Sequence, residues 1–124
     1  MEMIKSKYFS EAEMQRCTPP CSLQHMNQQT LNKADLARQI AGIPFVVNCA
    51  YRSREYDLNK GRNGNSAHTR GRALDFRCND SGNRFKMVDS LYAAGFRRIG
   101  IGKTFIHADD DPTLPQGVMW HYYD

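Results

Sequence analysis

The stretch SAHTRGRALDFR, Ser66 to Arg77, leaves a loop marked by Gly71 and enters a strand, where extended backbone sends successive side chains to opposite faces. From about Arg72 to Arg77 this alternation puts Ala73, Asp75 and Arg77 on one face and the apolar Leu74 and Phe76 on the other. A carboxylate is therefore expected to face away from the core. The same reading of residues 104–109, TFIHAD, groups Phe105, His107 and Asp109 on one face, and His68 stands in the loop just before the Asp75 strand. Two imidazoles and a carboxylate on adjoining elements suit a catalytic zinc, which takes three protein ligands at about 2.0–2.2 Å and leaves a fourth position to water. Spacing alone also allows each to be an ordinary polar surface residue.

Working outward, Phe45, Val47 and Cys49 alternate with Val46 and Asn48, so residues 44–50 read as a strand that delivers Tyr51-Arg52-Ser53 to its end. The segment LNKGRNGNSAH is rich in Gly and Asn and is expected as an irregular loop. Ser10 and Glu13 have the form of a capping box, so a short helix begins at Glu11 and stops before Pro19-Pro20. From Asn27 to Ala41, Leu31, Ala34, Leu36, Ala37, Ile40 and Ala41 form a stripe at helical spacing, closed by Gly42. A second long helix is expected from Ser81 as N-cap to Gly95, packing through Phe85, Val88, Leu91 and Tyr92. Residues 97–102 and 104–109 read as a hairpin, with Met119 to Tyr123 as an edge. Helices and strands without regular alternation predict an α+β domain with a small, mostly antiparallel sheet flanked by helices.

With 124 residues, 40% of them hydrophobic and 24% charged, the chain suits one soluble globular domain spanning residues 1–124, and no apolar run approaches a membrane span. The N-terminal MEMIKSKYFSEAEM lacks the apolar stretch of a secretory signal. Synthesis in the cytoplasm is the expectation, so an enzyme acting on the cell wall would reach it by lysis or on a phage particle. Residues 52–103 hold 12 of the 17 Lys and Arg but only 5 of the 13 acids, a basic middle that attracts polyanions or a carboxylate-bearing substrate. Charge alone does not make a nucleic-acid partner, because no reading helix, aromatic platform or zinc-finger spacing accompanies it. Cys17, Cys21, Cys49 and Cys78 are too sparse for a disulfide scaffold and are expected as free thiols; Cys17, Cys21 and His25 lack the tight CxxC pair of a structural zinc site.

SAHTRGRALD, Ser66 to Asp75, resembles the SxHxxGxAxD signature of the zinc D-Ala-D-Ala carboxypeptidase and L-Ala-D-Glu endopeptidase superfamily, whose fold Hedgehog signalling domains share. The resemblance runs back through AYRS, Ala50 to Ser53, and forward through GIG, FIHAD and the VMW segment, and it is near the HxD branch common in phages and bacterial genomes. It implies that His68, Asp75 and His107 ligate one Zn2+ ion. Gly71 then lets the backbone turn after the first ligand and Ala73 leaves room beside the metal. Many members carry an acid shortly before the third ligand, whereas Gly102, Lys103, Thr104, Phe105 and Ile106 offer none. Asp109 is the remaining candidate for general base, against a role orienting His107. Asp110 and Asp111 read as solvated turn residues before Pro112.

Arg52, at the end of a strand beside the site, is expected to clamp a substrate carboxylate or a developing oxyanion. Ser66 binds substrate or holds the His68 loop. His121, after Trp120, is the rival to His107 as a ligand, and Trp120 is expected in the core or the pocket wall. The function implied is a monomeric zinc metallopeptidase, without nucleic-acid or membrane partners, that hydrolyses D-amino-acid-containing stem peptides of peptidoglycan. The alternative is a catalytically inactive zinc-containing module that binds cell-wall peptides, which the missing upstream acid favours.

Overall fold

Five short strands rich in alternating apolar residues form one sheet in the order β1-β2-β4-β3-β5. They are β1 (Val47–Cys49), β2 (Ala73–Arg77), β3 (Arg98–Ile101), β4 (Phe105–Asp109) and β5 (Val118–His121). The computed structural model describes residues 3–123; Met1, Glu2 and Asp124 of the expected 1–124 domain lie outside the described residues. Neighbouring pairs are antiparallel except β3 and β5, so the sheet is mostly antiparallel, as expected, with a parallel edge. β1 is shorter than the 44–50 strand expected. Its register with β2 slips between Val47 and Cys49, so that Val47 pairs with Phe76 and Cys49 with Asp75.

One sheet face is apolar: Leu74, Phe76, Ile99, Ile106 and Ala108 are buried and belong to the core. The two long helices, α2 (Gln28–Ala41) and α4 (Ser81–Ala93), pack against each other, and α4 also contacts β4. α2 is held at its ends as its sequence dictates, the Asn27 side chain accepting from the Thr30 amide and Gly42 closing the helix in the left-handed region at φ 66°. It buries Thr30, Leu31, Ala34 and Ala37, while Leu36 and Ile40 of the expected stripe are exposed. α4 is capped by Asp80, one residue before the expected Ser81, and buries Met87, Ser90 and Leu91. Phe85 and Tyr92, expected in the core, are 74% and 59% exposed. Mostly small buried side chains on α2 let α4 come close, and that approach selects the face of α4 that turns inward.

The N-terminal helix α1 (Glu11–Gln15) carries the full Ser10/Glu13 capping box. Before the expected irregular loop, and overlapping it only at Leu58 and Asn59, stands an element that was not expected: α3 (Arg54–Asn59), capped by Ser53 and acidic in its first turn at Glu55 and Asp57. All four cysteines are free thiols and buried. No helix among the described residues is long and apolar enough to cross a membrane.

Candidate metal centre

The face of the sheet opposite the core carries the chemistry, and strand register decides which residues meet. Pairing runs across all five strands as Cys49 with Asp75, Asp75 with His107, His107 with Gly100, and Gly100 with Trp120. Because paired residues share a face, this single transverse row sets an imidazole beside a carboxylate and an aromatic ring beyond them. The next row reads Ala73, Asp109, Arg98, Val118. Gly100 is required in the first row, since a Cβ there would lie 2.7 Å from both Trp120 Nε1 and Tyr122 Cε2. Those two rings therefore lie close over the strand, with Trp120 5.5 Å from His107 between ring centres.

His68 reaches the row from a 3-10 turn, Ala67–Arg70, which ends at Gly71 with φ 70°. A side chain at Gly71 would be strained in that conformation and would place its Cβ 2.3 Å from the His25 carbonyl oxygen, so the glycine after the first histidine is needed for the turn. His68 is buried, and its Nδ1 donates to the Ala50 carbonyl. A carbonyl can only accept, so the proton sits on Nδ1 and Nε2 is left facing Asp75 Oδ1 at 3.4 Å. His107 Nδ1 lies 2.8 Å from the same Asp75 oxygen, and its Nε2 donates to Asp109 Oδ2 at 2.7 Å. Asp75 thus stands between the two rings.

The charges reinforce one another. Burial disfavours a charged imidazole at His68, but the hydrogen bonds and charges of Asp75 and Cys49 outweigh it and lift the group to about 9. At His107 burial is likewise outweighed, by Asp109 and Asp75, and the group again rises to about 9. Burial acts to raise Asp75, yet the two histidines beside it hold its carboxyl well below the usual carboxylate range.

Two overlapping donor groups share His68 and Asp75. Cys49, His68 and Asp75 have ligand atoms within 4.8 Å of one another and could hold a metal ion. The Cys49 thiol, however, lies 3.7 Å from His68 Nδ1, the nitrogen already committed to Ala50, and receives a contact from Arg52 Nη1 at 3.8 Å. The second group, His68 Nε2, Asp75 Oδ1 and His107 Nδ1, uses the nitrogens left by Ala50 and Asp109. That set has the nitrogen and oxygen donors zinc takes, with both second nitrogens tied down, but its three ligand atoms do not all lie within 4.8 Å of one another as those of the Cys49 group do.

Asp109 is 1% exposed, and both its oxygens are engaged, Oδ2 by His107 and Oδ1 by Arg98 Nε at 2.8 Å. Arg52 lies beside the histidine loop: its Nε pairs with the fully buried Asp57 at 3.0 Å and its Nη2 donates to Ser66 Oγ at 3.3 Å. His121, the rival ligand, pairs in register with Ile101 rather than Gly100 and is exposed, its Nδ1 accepting from the Tyr123 amide. It is not brought to the site. Trp120 forms pocket wall, in a cavity of about 490 Å3 whose lining includes Arg52, His68, Asp75, His107, Trp120 and Tyr122. A larger cleft of about 800 Å3, bordered by Tyr8, Arg38 and Phe45, contains neither ring nor Asp75.

The sequence reading missed several supports. Asp110 and Asp111, expected in solvent, are buried: Asp110 accepts from Thr30 Oγ1 and pairs with Lys33 at 3.1 Å, and Asp111 accepts from Arg70 Nε at 2.6 Å. Their cationic partners offset the cost of burying each carboxylate. Arg98 was also overlooked, although strand alternation from Arg98 to Gly100 in the expected hairpin was signal enough to put it on the His107 face.

A model of the family described as Peptidase M15 matches residues 7–109, which takes in the first helix, both histidine motifs and the Asp109 strand end. No curated protein matches the chain.

Proposed function

The chain belongs to the Peptidase M15 family, the zinc D-Ala-D-Ala carboxypeptidase superfamily, and from that premise we propose that it hydrolyses D-amino-acid-containing stem peptides of bacterial peptidoglycan. The observation that carries this reading is that Asp75 Oδ1 lies 3.4 Å from His68 Nε2 and 2.8 Å from His107 Nδ1, each histidine having its other nitrogen held by a backbone carbonyl or a carboxylate. In this reading those three residues hold one zinc ion. When bound there, zinc supplies the Lewis acidity that activates a water and polarises a peptide carbonyl at neutral pH.

The chain's own residues supply orientation. Arg52 is held from behind by Asp57, with Nη2 on Ser66 at the cavity, where its fork can take a substrate carboxylate or the oxygen that gains charge during attack. Ser66 accepts from that guanidinium through Oγ, and its carbonyl accepts from Thr69 at the start of the His68 turn. Of the two roles open to Asp109, orienting His107 is the one its contacts support, because the carboxylate is 1% exposed and holds His107 Nε2 on one oxygen and Arg98 on the other. Trp120 and Tyr122 wall the cavity and exclude water from one side. A basic middle region suits an anionic wall polymer, and the place of action in this reading is the cell wall, reached by lysis or phage delivery, by a monomeric domain over residues 1–124.

The second reading, an inactive module that grips wall peptides through the same centre, is favoured by the same engagement of Asp109, a carboxylate 1% exposed and held by both Arg98 and His107. Metal analysis of the purified protein followed by mass spectrometry of digested peptidoglycan separates them. Release of D-Ala or of cut stem peptides, abolished in Asp75→Ala, is the result expected of the enzyme. Zinc with intact muropeptides assigns the module, and no zinc in the parent protein overturns both.

A further inference from the structure

We propose that Arg98 is a positioning residue of the metal centre, locking Asp109 in the orientation that fixes the His107 ring. The inference rests on the zinc-peptidase reading above and concerns a residue outside the three ligands and outside the substrate clamp.

Arg98 sits on β3 opposite Asp109 of β4, one row below the Gly100 and His107 pair. Its Nε donates to Asp109 Oδ1 at 2.8 Å, its Nη1 donates to the Pro115 carbonyl at 2.7 Å, and its guanidinium carbon lies 5.0 Å from the centre of the Trp120 ring. The other oxygen of Asp109 accepts from His107 Nε2 at 2.7 Å. A carboxylate turns easily about its last bond, a soft torsion with two near-equivalent settings. Asp109 with only His107 to hold would leave that torsion, and hence the ring, poorly defined. The Asp111 amide reaches Oδ1 only at 3.3 Å, so Arg98 makes the shorter contact at that oxygen.

Three features indicate more than neutralisation of a buried charge. The guanidinium spends one donor on Asp109 and another on the segment after β4, so it fixes the carboxylate relative to the strand and the following loop together. Its charged end lies over Trp120, which itself neighbours His107, so the ring is bracketed from two directions. And arginine alone among side chains offers a rigid planar fork; lysine has a single charged end that cannot reach both acceptors while covering the indole.

Zinc affinity measured by competition with a chromophoric chelator, together with NMR detection of the His107 Nε2 proton in zinc-loaded protein, tests this in the parent, Arg98→Met, Arg98→Lys, Asp109→Asn and the Arg98→Met/Asp109→Asn double variant. Changes of residues behind a metal ligand typically weaken binding by about 10–100-fold. Arg98→Met and Asp109→Asn are each expected to show a loss of that size, because an amide cannot accept from both Arg98 and His107. The double variant is expected to lose no more than the worse single one, and the slowly exchanging Nε2 proton of the parent is expected to exchange fast in Arg98→Met. A purely structural role would lower the melting temperature and leave zinc affinity and that proton unchanged. Should Arg98→Met not fold, Arg98→Lys decides, with a smaller loss in the same direction. Zinc affinity within twofold of the parent in the folded Arg98 variants, or losses that simply add in the double variant, would overturn the proposal. A parent that fails to bind zinc is a different result, one that removes the peptidase reading and this inference with it.

Discussion

On one face of the sheet Leu74, Phe76, Ile99, Ile106 and Ala108 pack against carbon, while on the other the residues between them, Asp75, Arg98, His107 and Asp109, are held by specific polar partners. The same five strands make both faces, and the same period of two separates them. What differs is the tolerance of each to substitution. The apolar face is satisfied by volume, so neighbours of similar size can replace one another at small cost. The polar face is satisfied by direction: every buried donor must meet an acceptor, and losing one partner strands the other. A functional site can thus be carried on an ordinary core-forming sheet, provided the outward positions are wired residue by residue.

The sharpest way to break the comparison is at two adjacent positions. Asp75→Asn is expected to abolish zinc binding and most of the rate acceleration, which in enzymes is commonly about 10⁶-fold or more, while the fold persists. Phe76→Ala, its neighbour on the core face, is expected to lower unfolding stability by about 3–5 kcal/mol with zinc affinity of the folded fraction unchanged. Chelator competition and urea denaturation on both variants would read the two effects; a loss of zinc in Phe76→Ala without loss of stability would show that the faces are not independent.

Acidity acts on the polar face alone. His68 and His107, lifted from 6.5 to about 9, contribute stability that is full below pH 6.5 and is lost as pH rises through about 9 in metal-stripped protein. Asp75 has the opposite sign: held below its ordinary value, it contributes above pH 3.8 and loses that contribution only in strong acid. Zinc must displace the imidazole protons, so its affinity is expected to climb between pH 6.5 and 9, by about tenfold per unit for each proton released. Calorimetric titration in buffers of different ionisation enthalpy counts those protons, and an affinity independent of pH would contradict the raised histidines.

Arg52→Ala should leave Asp57 buried without its cation and cost about 3–5 kcal/mol, with a loss of substrate affinity beside it. The double change Arg52→Ala/Asp57→Ala is expected to restore much of the stability and none of the substrate affinity, which denaturation curves and KM measurements would distinguish. Gly100→Ala comes last in size. A methyl group must push Trp120 and Tyr122 away from β3, with a stability loss of about 1–3 kcal/mol and a raised KM at retained zinc content.

Legibility in the sequence followed the range of the interactions. The β3 and β4 hairpin, the outward placing of Asp75 and His107, the Ser10 box and the Asn27-to-Gly42 helix are local, and their signals lie within a few residues. The face of α4 was legible only in part: Leu91 and Val88 of the expected stripe pack at the core, but Phe85 and Tyr92 turn outward and Met87 and Ser90 inward once α2 is packed against it. α3 hid because its six residues are too few to show a helical period between β1 and the Gly- and Asn-rich loop that begins as it ends. Asp110 looked solvated because its partners Thr30 and Lys33 lie 80 and 77 residues away, and Asp111 because Arg70 lies 41 residues away. Within the site, His68 and Arg52 were readable as residues but not as geometry. The bond from His68 to Ala50 and the pairing of Arg52 with Asp57 depend on how β1 and α3 meet the turn before β2.

Asp109, Asp110 and Asp111 are three identical residues in succession, yet each is moored to a different part of the molecule: the first to β3, the second to α2, the third to the turn that carries His68. Their identity is no licence for slippage. Insert or delete one residue between His107 and Asp111 and each tie is offered to the wrong neighbour, so this short segment admits no change of length, whatever freedom the loops elsewhere enjoy.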